Sequence, residues 1–397
     1  MKITIHRGQG QIGGNIIEIS SEKARIVLDF GEELDFGKDK NETSVEADSL
    51  ISEMGEADAV LVTHYHLDHI GLIHRLPERI PVYMGKTAHD IFKAANDYSD
   101  RELDFSVSYY KDKVPFTIKD LRITPFLCDH SAFDSYMILI ESGGESVLYT
   151  GDFRANGRLD YDEFLKQLPN VDTLIIEGTN LTRELDIENI QESLLEEIAV
   201  KAMSRHKGPA FIIMSAMNID RLTTACNAAK KSNRIFLQDI YTAMIASAAQ
   251  NKYTYLCTKD SARVFVTDNN KGRYRKLCAF GKYKISRQAI SKENYLMCIR
   301  PSMLDYLKKL NDIQSFQDGI LFYGMWKGYK DKKAMKELLD FMISRGVRIH
   351  TLHTSGHADS KTIDRLIDAV SPNTIMPVHT ENQKWFDRYR SIAKVIY

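Results

Sequence analysis

The sequence predicts an α/β protein built from two modules, and three observations carry that prediction. Short strand-like segments set off by Gly/Asp turns dominate roughly the first 180 residues. Beyond Asn189, helix-like and strand-like segments alternate as in a parallel α/β unit. The 397 residues also exceed what one ordinary hydrophobic core accommodates.

The elements follow in order. Ile3–Ile5, Asn15–Ile19, Arg25–Leu28, Ala59–Val62, Val82–Met84, Leu121–Pro125, Ser135–Ile140, Val147–Tyr149 and Thr173–Ile176 have strand composition and turn-rich flanks. Thr87–Tyr98 has helical periodicity. From Asn189 to Ser204, Ala and Leu recur at helical spacing in Glu-rich text, an amphipathic helix. Pro209–Met214 is a buried strand, a helix runs on to Lys231, and Ile235–Leu237 is the next strand. Asp331–Ser344 (helix), Arg348–Leu352 (strand), Asp359–Val370 (helix) and Thr374–Pro377 (strand) close the chain. With no repeat, low-complexity tract or Pro/Gly linker, the second module is expected to be inserted or tightly docked.

Composition narrows the class. The chain is 43% hydrophobic and 27% charged, the balance of a folded globular protein. It contains no apolar run of the length a membrane span needs, so no membrane partner is expected. Met1–His6 has no apolar stretch of the signal-peptide kind. The five cysteines (Cys128, Cys226, Cys257, Cys278, Cys298) are odd in number and widely spaced, which points to a reducing cytoplasm. Because the net charge is only −1, nucleic-acid binding would need a local basic patch.

The strongest motif is Thr63-His64-Tyr65-His66-Leu67-Asp68-His69, directly after an apolar strand. In an extended segment, residues two apart face the same way, so His64 and His66 can grip one ion. The turn that follows lets Asp68 and His69 face a second ion. Nitrogen and oxygen donors without thiolate suit zinc or manganese. A loop holding this many titratable groups with no ion would carry a heavy desolvation cost. Further donors stand at strand ends: His130 in Cys128-Asp129-His130-Ser131, Asp152 in Gly151-Asp152-Phe153, and His379 in Pro377-Val378-His379. An Asp just after a strand-end Gly can bring one carboxylate to two cations.

In this order, His64-x-His66-x-Asp68-His69, His130, Asp152 and His379 resemble the metallo-β-lactamase fold hydrolases, as does Leu28-Asp29-Phe30-Gly31. The resemblance implies a four-layer αβ/βα sandwich. It implies that His64, His66 and His130 hold one divalent ion, that Asp68, His69 and His379 hold another, and that Asp152 bridges them. Zinc stands ahead of manganese. The long interval before His379 is similar to that of the β-CASP nucleases, whose extra α/β domain is inserted there. Glu177 in Ile176-Glu177-Gly178-Thr179, the loop His353-Thr354-Ser355-Gly356-His357-Ala358, Ser215–Arg221 and His130-Ser131…Asp134-Ser135 are similar to ribonuclease J motifs. The implied domains are 1–185 and 346–397 for the metallo-β-lactamase part and 186–345 for the insert.

Two departures stand out. The chain stops soon after His379, without the C-terminal extension of ribonuclease J and its route to oligomers, though a homodimer remains compatible with the reading. Tyr323–Tyr329 replaces a small-residue Gly-Ser-Gln-Gly turn, which sets 5′-end recognition, and with it exonuclease action, apart from the family pattern.

The implied activity is metal-dependent hydrolysis of RNA phosphodiester bonds by activated water. Asp68, Glu177 and His357 are the implied catalytic residues, His357 serving as general acid beside the Glu177 carboxylate. His at position 357 matches the RNA-processing branch and favours RNA over DNA. Ser355, Gly356 and His353 would touch substrate phosphate. So would Lys271, Arg273, Arg275 and Lys276, in a run from Lys271 to Arg287 with seven basic residues, no acid and interleaved Tyr274, Phe280 and Tyr283. A solvated face is the alternative for that run. His6, His74, His89, His206 and His350 are assigned ordinary surface or capping positions, and Trp326 and Trp385 packing roles. A single-stranded DNA nuclease and an inactive nucleic-acid-binding protein stay open. A small-molecule hydrolase fits less well, because such chains lack the insert.

Overall fold

The computed structural model describes residues 1–34, 49–52, 54, 56–103, 105–182, 189–249, 262–267 and 271–397. It divides into two compact units. The first comprises Met1–Ala155, Leu159–Asn189 and Gly356–Tyr397, and the second Asn156–Arg158 and Ile190–Ser355.

The first unit has two mixed sheets. One runs in chain order through β1 (Lys2–Arg7), β2 (Ile16–Ser20), β3 (Arg25–Leu28), β4 (Ala59–Leu61), β5 (Val82–Gly85) and β6 (Val107–Tyr110). The other contains β7 (Phe116–Ile118), β8 (Leu121–Cys128), β9 (Ser135–Ser142), β10 (Glu145–Tyr149) and β11 (Thr173–Glu177), and is completed by C-terminal strands given below. Tyr136 N of β9 donates to Thr63 O after β4 (3.1 Å), and the Tyr149 hydroxyl of β10 donates to Asp29 after β3 (2.7 Å), tying the sheets together. Helices cover the outer faces. Lys86–Tyr98 buries Ala88, Ile91 and Phe92, while Ser360–Val370 buries Ile363, Leu366, Ile367 and Val370 against Leu148, Leu174 and Ile176. This is the αβ/βα layering expected from the sequence.

The second unit is a parallel α/β domain. Its sheet consists of β12 (Ala210–Ile213), β13 (Ile235–Asp239), β14 (Ala262–Phe265), β15 (Tyr295–Ile299), β16 (Ile320–Tyr323) and β17 (Arg348–Thr351), in the order β14-β13-β15-β12-β16-β17. Every pairing among them is parallel. Both faces are covered, so β12, β15 and β16 are buried at every position and show no alternation. Sequence reading recovers β12, β13 and β17 and passes over β14, β15 and β16. Short apolar runs rich in Leu, Met and Phe do not distinguish strand from buried helix. β17 pairs with β16, so this unit extends past residue 345 to Ser355.

After the second unit the chain rejoins the first with β18 (Thr374–Val378) and β19 (Lys394–Val395). β18 lies parallel to β11, giving the second sheet the order β19-β18-β11-β10-β9-β8-β7. The four cysteines among the described residues are free, and Cys257 lies outside them. No described helix is long and apolar enough to cross a membrane.

One buried ion pair organises the second unit. Arg221, on the helix Ile219–Lys231, pairs in bidentate fashion with Glu192 (Nε–Oε2 3.1 Å, Nη2–Oε1 3.0 Å) and also donates to the carbonyls of Gly324 and Leu352. Both side chains are almost wholly excluded from solvent. Removing one partner strands a desolvated charge, which typically costs about 3–5 kcal/mol. Glu192→Ala should therefore lower the stability of this unit by about that much in urea unfolding, and Glu192→Gln, which keeps hydrogen-bonding atoms, by distinctly less.

Candidate metal centre

Sheet topology brings the donors together. β10, β11 and β18 run parallel, and β8 shares their direction because both β8 and β10 are antiparallel to β9. The carboxyl ends of these strands therefore share one edge. They deliver His130 after β8, Asp152 after β10, Glu177 at the end of β11 and His379 after β18. In the other sheet β3 and β4 are parallel, and their ends supply Asp29 and Thr63-His64.

Three donor groups converge, each with its ligand-type atoms within 4.8 Å of one another: His64, His66, His130 and Asp152; Asp68, His69, Asp152 and His379; and Asp152, Glu177 and His357. Asp152 belongs to all three. In the first group, His64 Nε2 and His130 Nε2 each lie 3.2 Å from His66 Nδ1. In the second, His379 Nε2 is 3.1 Å from Asp68 Oδ2, and His69 Nε2 is 3.2 Å from Asp152 Oδ2.

Burial, with help from neighbouring imidazoles, holds His64 and His130 well below the usual histidine range. His66 is pulled down to about 4 in spite of the opposing pull of Asp68 and Asp152. These rings are neutral at physiological pH and present lone pairs. His69 behaves oppositely: burial disfavours its charge, but the carboxylates of Asp152 and Asp29 outweigh that and raise it well above the ordinary value. Burial works against ionising Asp68 and Asp152, yet the surrounding histidines keep both well below the usual carboxylate range.

The fit to a cation rests on atoms that the protein leaves unsatisfied. Both oxygens of Asp152 and Nε2 of His69, which face one another in the donor cluster, are buried without a hydrogen-bond partner. Buried polar atoms without partners are costly, and so many in one cluster, with carboxylates among neutral imidazoles, match a divalent cation.

Residues behind the donors fix their orientation. Asp29 accepts from Thr63 N (2.7 Å), from the Tyr149 hydroxyl (2.7 Å) and from His69 Nδ1 (2.7 Å), which turns Nε2 of His69 toward Asp152. The Thr179 hydroxyl donates to Glu177 Oε2 (2.7 Å), so it accepts from His379 Nδ1 (2.8 Å), which aims Nε2 of His379 at Asp68. Gly31 permits the closest approach: a Cβ there would stand 1.8 Å from Asp68 O. Arg154 forms a buried pair with Asp129 (3.0 Å) and its backbone N–H donates to Asp129 O (2.7 Å), holding the turn into His130.

Sequence reasoning quotes Asp29, Asp129 and Thr179 within motifs but gives none of them a role, and it misses Arg154. Asp134, also quoted, instead accepts from the first amides of the helix Lys86–Tyr98, at Thr87 N (2.8 Å) and Ala88 N (3.1 Å).

His357 Nδ1 lies 3.2 Å from Glu177 Oε2 and 3.5 Å from Asp152 Oδ2. Glu177 is fully buried and held by Phe153 N (2.9 Å) and Thr179. The His357 side chain keeps 24% exposure, unlike the ligand-type histidines His64, His69 and His379, at 0–1%. Burial opposes its protonation, but Glu177 and Asp152 overcome this and lift it to about 9. Gly356 packs its backbone on Ser131, where a Cβ would meet Oγ at 2.5 Å.

In the second unit, Ser355 is buried and its carbonyl accepts from Asn156 Nδ2 (3.1 Å), while His353 Nδ1 lies 3.3 Å from Gly324 O. The basic run begins as a helix, Lys271–Cys278, with Tyr274 and Arg275 exposed and Arg273 and Lys276 partly so. The side chain of Lys271 lies outside what is described. Two expectations are corrected. Trp326 is 41% exposed, because its ring rests on Gly328, where even a Cβ would clash, and meets only the edge of Tyr329. His206 is buried, not at the surface: its ring meets the edge of His350, and Arg234 donates to its carbonyl (3.0 Å).

A sandwich with histidines and carboxylates gathered at one strand edge defines a metallohydrolase. A model of the beta-lactamase superfamily domain matches residues 25–236, and one of the Zn-dependent metallo-hydrolase RNA specificity domain matches residues 342–389. The chain belongs to the β-lactamase superfamily, and its donor clusters are those of a divalent-metal site. Among curated relatives, it is 22% identical to ribonuclease J of Mycoplasma genitalium over 99% of this chain and 69% of that protein. It is 24% identical to an RNase J-like protein of Methanocaldococcus jannaschii over 98% of this chain and 94% of that one. A crystal structure of a protein of unknown function from Enterococcus faecalis shares the fold, with a TM-score of 0.78, 20% identity, and coverage of 100% of this chain and 97% of that one.

The elevated His357 has a pH signature. Its folded value lies above the ordinary 6.5, so the stability it contributes is complete below about 6.5 and is lost as pH rises through about 9. NMR titration of the metal-free protein should place its midpoint near 9. Glu177→Gln should lower that midpoint, and added divalent metal, competing for Asp152, should lower it too.

Proposed function

We infer that the chain is a metal-dependent ribonuclease that uses two divalent ions, with zinc the best match, held by His64, His66 and His130 on one side and Asp68, His69 and His379 on the other, with Asp152 shared. The observation that carries this reading is the unsatisfied, fully buried Asp152 carboxylate common to all three donor groups. Zinc suits the first group. Two nitrogens bound at about 2.0–2.1 Å with a tetrahedral angle stand roughly 3.3 Å apart, close to the 3.2 Å separations around His66. RNA as substrate is supported by the RNA specificity domain match over 342–389 and by similarity to ribonuclease J across almost the whole chain.

Bound here, such ions supply a water of lowered pKa and charge stabilisation for in-line phosphoryl displacement. The protein's own residues supply the rest. Asp29 and Thr179 hold His69 and His379 in the required tautomers. Glu177 engages Nδ1 of His357 and keeps the ring protonated, which leaves Nε2–H to give its proton to the departing 3′-oxygen. Asp68 serves as a ligand anchored to His379. Ser355, Gly356 and His353 would meet phosphate, and Arg273, Arg275 and Lys276, with Lys271, would track the strand. The second unit is read as the inserted β-CASP domain between the two parts of the metallohydrolase domain.

Purified protein should carry about two metal equivalents and degrade labelled RNA in a chelator-sensitive manner, with a matched DNA oligonucleotide cleaved more slowly. Asp152→Ala should abolish cleavage. His357→Ala should retain metal but lose about a hundredfold to ten-thousandfold in turnover. An RNA with a 3′-bridging sulfur, whose leaving group needs no proton, should rescue His357→Ala and not Asp152→Ala. Chelator-insensitive cleavage by metal-free protein would overturn the reading.

Neutralising Arg273, Arg275 and Lys276 should weaken RNA binding with metal content unchanged. It should flatten the log K against log salt slope by roughly 0.7 per lost phosphate contact. An unchanged slope would mark the helix as a solvated face.

A further inference from the structure

The strands of the second unit are parallel, so their amino ends share one edge. At the starts of β12, β13 and β15 that edge opens into a cavity of about 820 Å³, within the range of small-molecule sites. We propose that this cavity is a binding site for a small phosphorylated ligand of the nucleotide class. The inference is independent of the ribonuclease reading.

Its charge is the first argument. Arg234 is 6% exposed, and its guanidinium is fixed by three backbone carbonyls: Gly208 (3.2 Å), Tyr295 (3.2 Å) and His206 (3.0 Å). Among the described residues no carboxylate pairs with it, and two of its five N–H groups stay uncommitted. A buried cation held by dipoles alone is short of an anion. Lys207 and Lys292 also line the cavity, exposed and unpaired with any described carboxylate. Lys231 is bound to Glu196 (2.8 Å), and Glu293 is the one acid among the described lining residues.

Unsatisfied polar atoms are the second argument. Ser232 Oγ and His206 Nδ1 are both buried in this lining without a hydrogen bond. Asp318 Oδ1 stands 3.4 Å from His206 Nδ1, too far for a good hydrogen bond. Phosphate oxygens accept from a hydroxyl, an imidazole N–H and a guanidinium together.

Size and the remaining wall favour a nucleotide over a bare anion. The volume is far more than one phosphate fills. Val200, Met203 and Pro209 form an apolar side suited to a base, and Asn233 and Asn294 offer amides for its polar edge.

The test is calorimetric titration of the metal-loaded full chain with AMP. One AMP should bind per chain, and Lys207→Glu/Lys292→Glu, which alters exposed side chains only, should weaken it at least tenfold without changing RNA cleavage. Adenosine and inorganic phosphate should each bind at least tenfold more weakly than AMP. Asp152→Ala should leave the AMP affinity unaltered, and a loss there would move the binding to the metal centre and overturn the proposal. It also fails if AMP does not bind at millimolar concentration, if the double variant binds it normally, or if inorganic phosphate binds equally well. An RNA oligonucleotide that loses affinity in the double variant while AMP never binds would make the cavity part of a strand track, again against the proposal.

Discussion

The Asp152 carboxylate, dry and without a hydrogen bond to either oxygen, is the constraint around which the first unit is arranged. An isolated buried carboxylate would be expected to take up a proton. Here His379, His69 and His357 hold it ionised against the pull of burial, and each of them is held in turn by a further carboxylate or hydroxyl. The cluster is therefore a closed set of charges in which no member can be removed without stranding another. An arrangement of this kind suits a task other than stability, since well-packed apolar residues would serve stability at least as well.

Topology makes the cluster feasible. Asp152, Glu177, His379 and His130 come from strands that run in one direction, so their loops leave the sheet at one edge without any long excursion. The insertion point follows the same logic. β18 pairs with β11 although the residues of the second unit separate them in the chain, so His379 still arrives next to Glu177. Gly31 shows how tight the assembly is, because its backbone lies where a side chain would strike the carbonyl of Asp68.

The two units solve the problem of buried charge differently. In the first, unsatisfied atoms face each other and are complementary to cations. In the second, Arg221 and Glu192 satisfy one another almost completely, whereas Arg234 is anchored by carbonyls and keeps spare donors beside an open cavity. The contrast separates a structural ion pair from a group held ready for a ligand.

The sequence by itself determined the donor set and its order. His64, His66, Asp68 and His69 lie within six residues, and at that distance local geometry alone dictates which side chains share a side. His130, Asp152 and His379 were legible because each follows an apolar strand, and a strand end is where a buried sheet becomes a loop. Tertiary structure alone decided which atoms face the centre. Asp68 meets His379 across 311 positions, and no local pattern encodes that contact. The tautomers depend on Asp29 and Thr179, whose motifs look like ordinary turns. β15 and β16 escaped because short apolar runs of Leu, Met and Phe suit a strand and a buried helix alike, whereas β12, equally buried, is marked by its β-branched Ile212 and Ile213 and by Pro209 before it. The cavity at the start of β13 was equally hidden, since the burial of His206 and Arg234 follows from where parallel strands begin, which is a property of the assembled sheet.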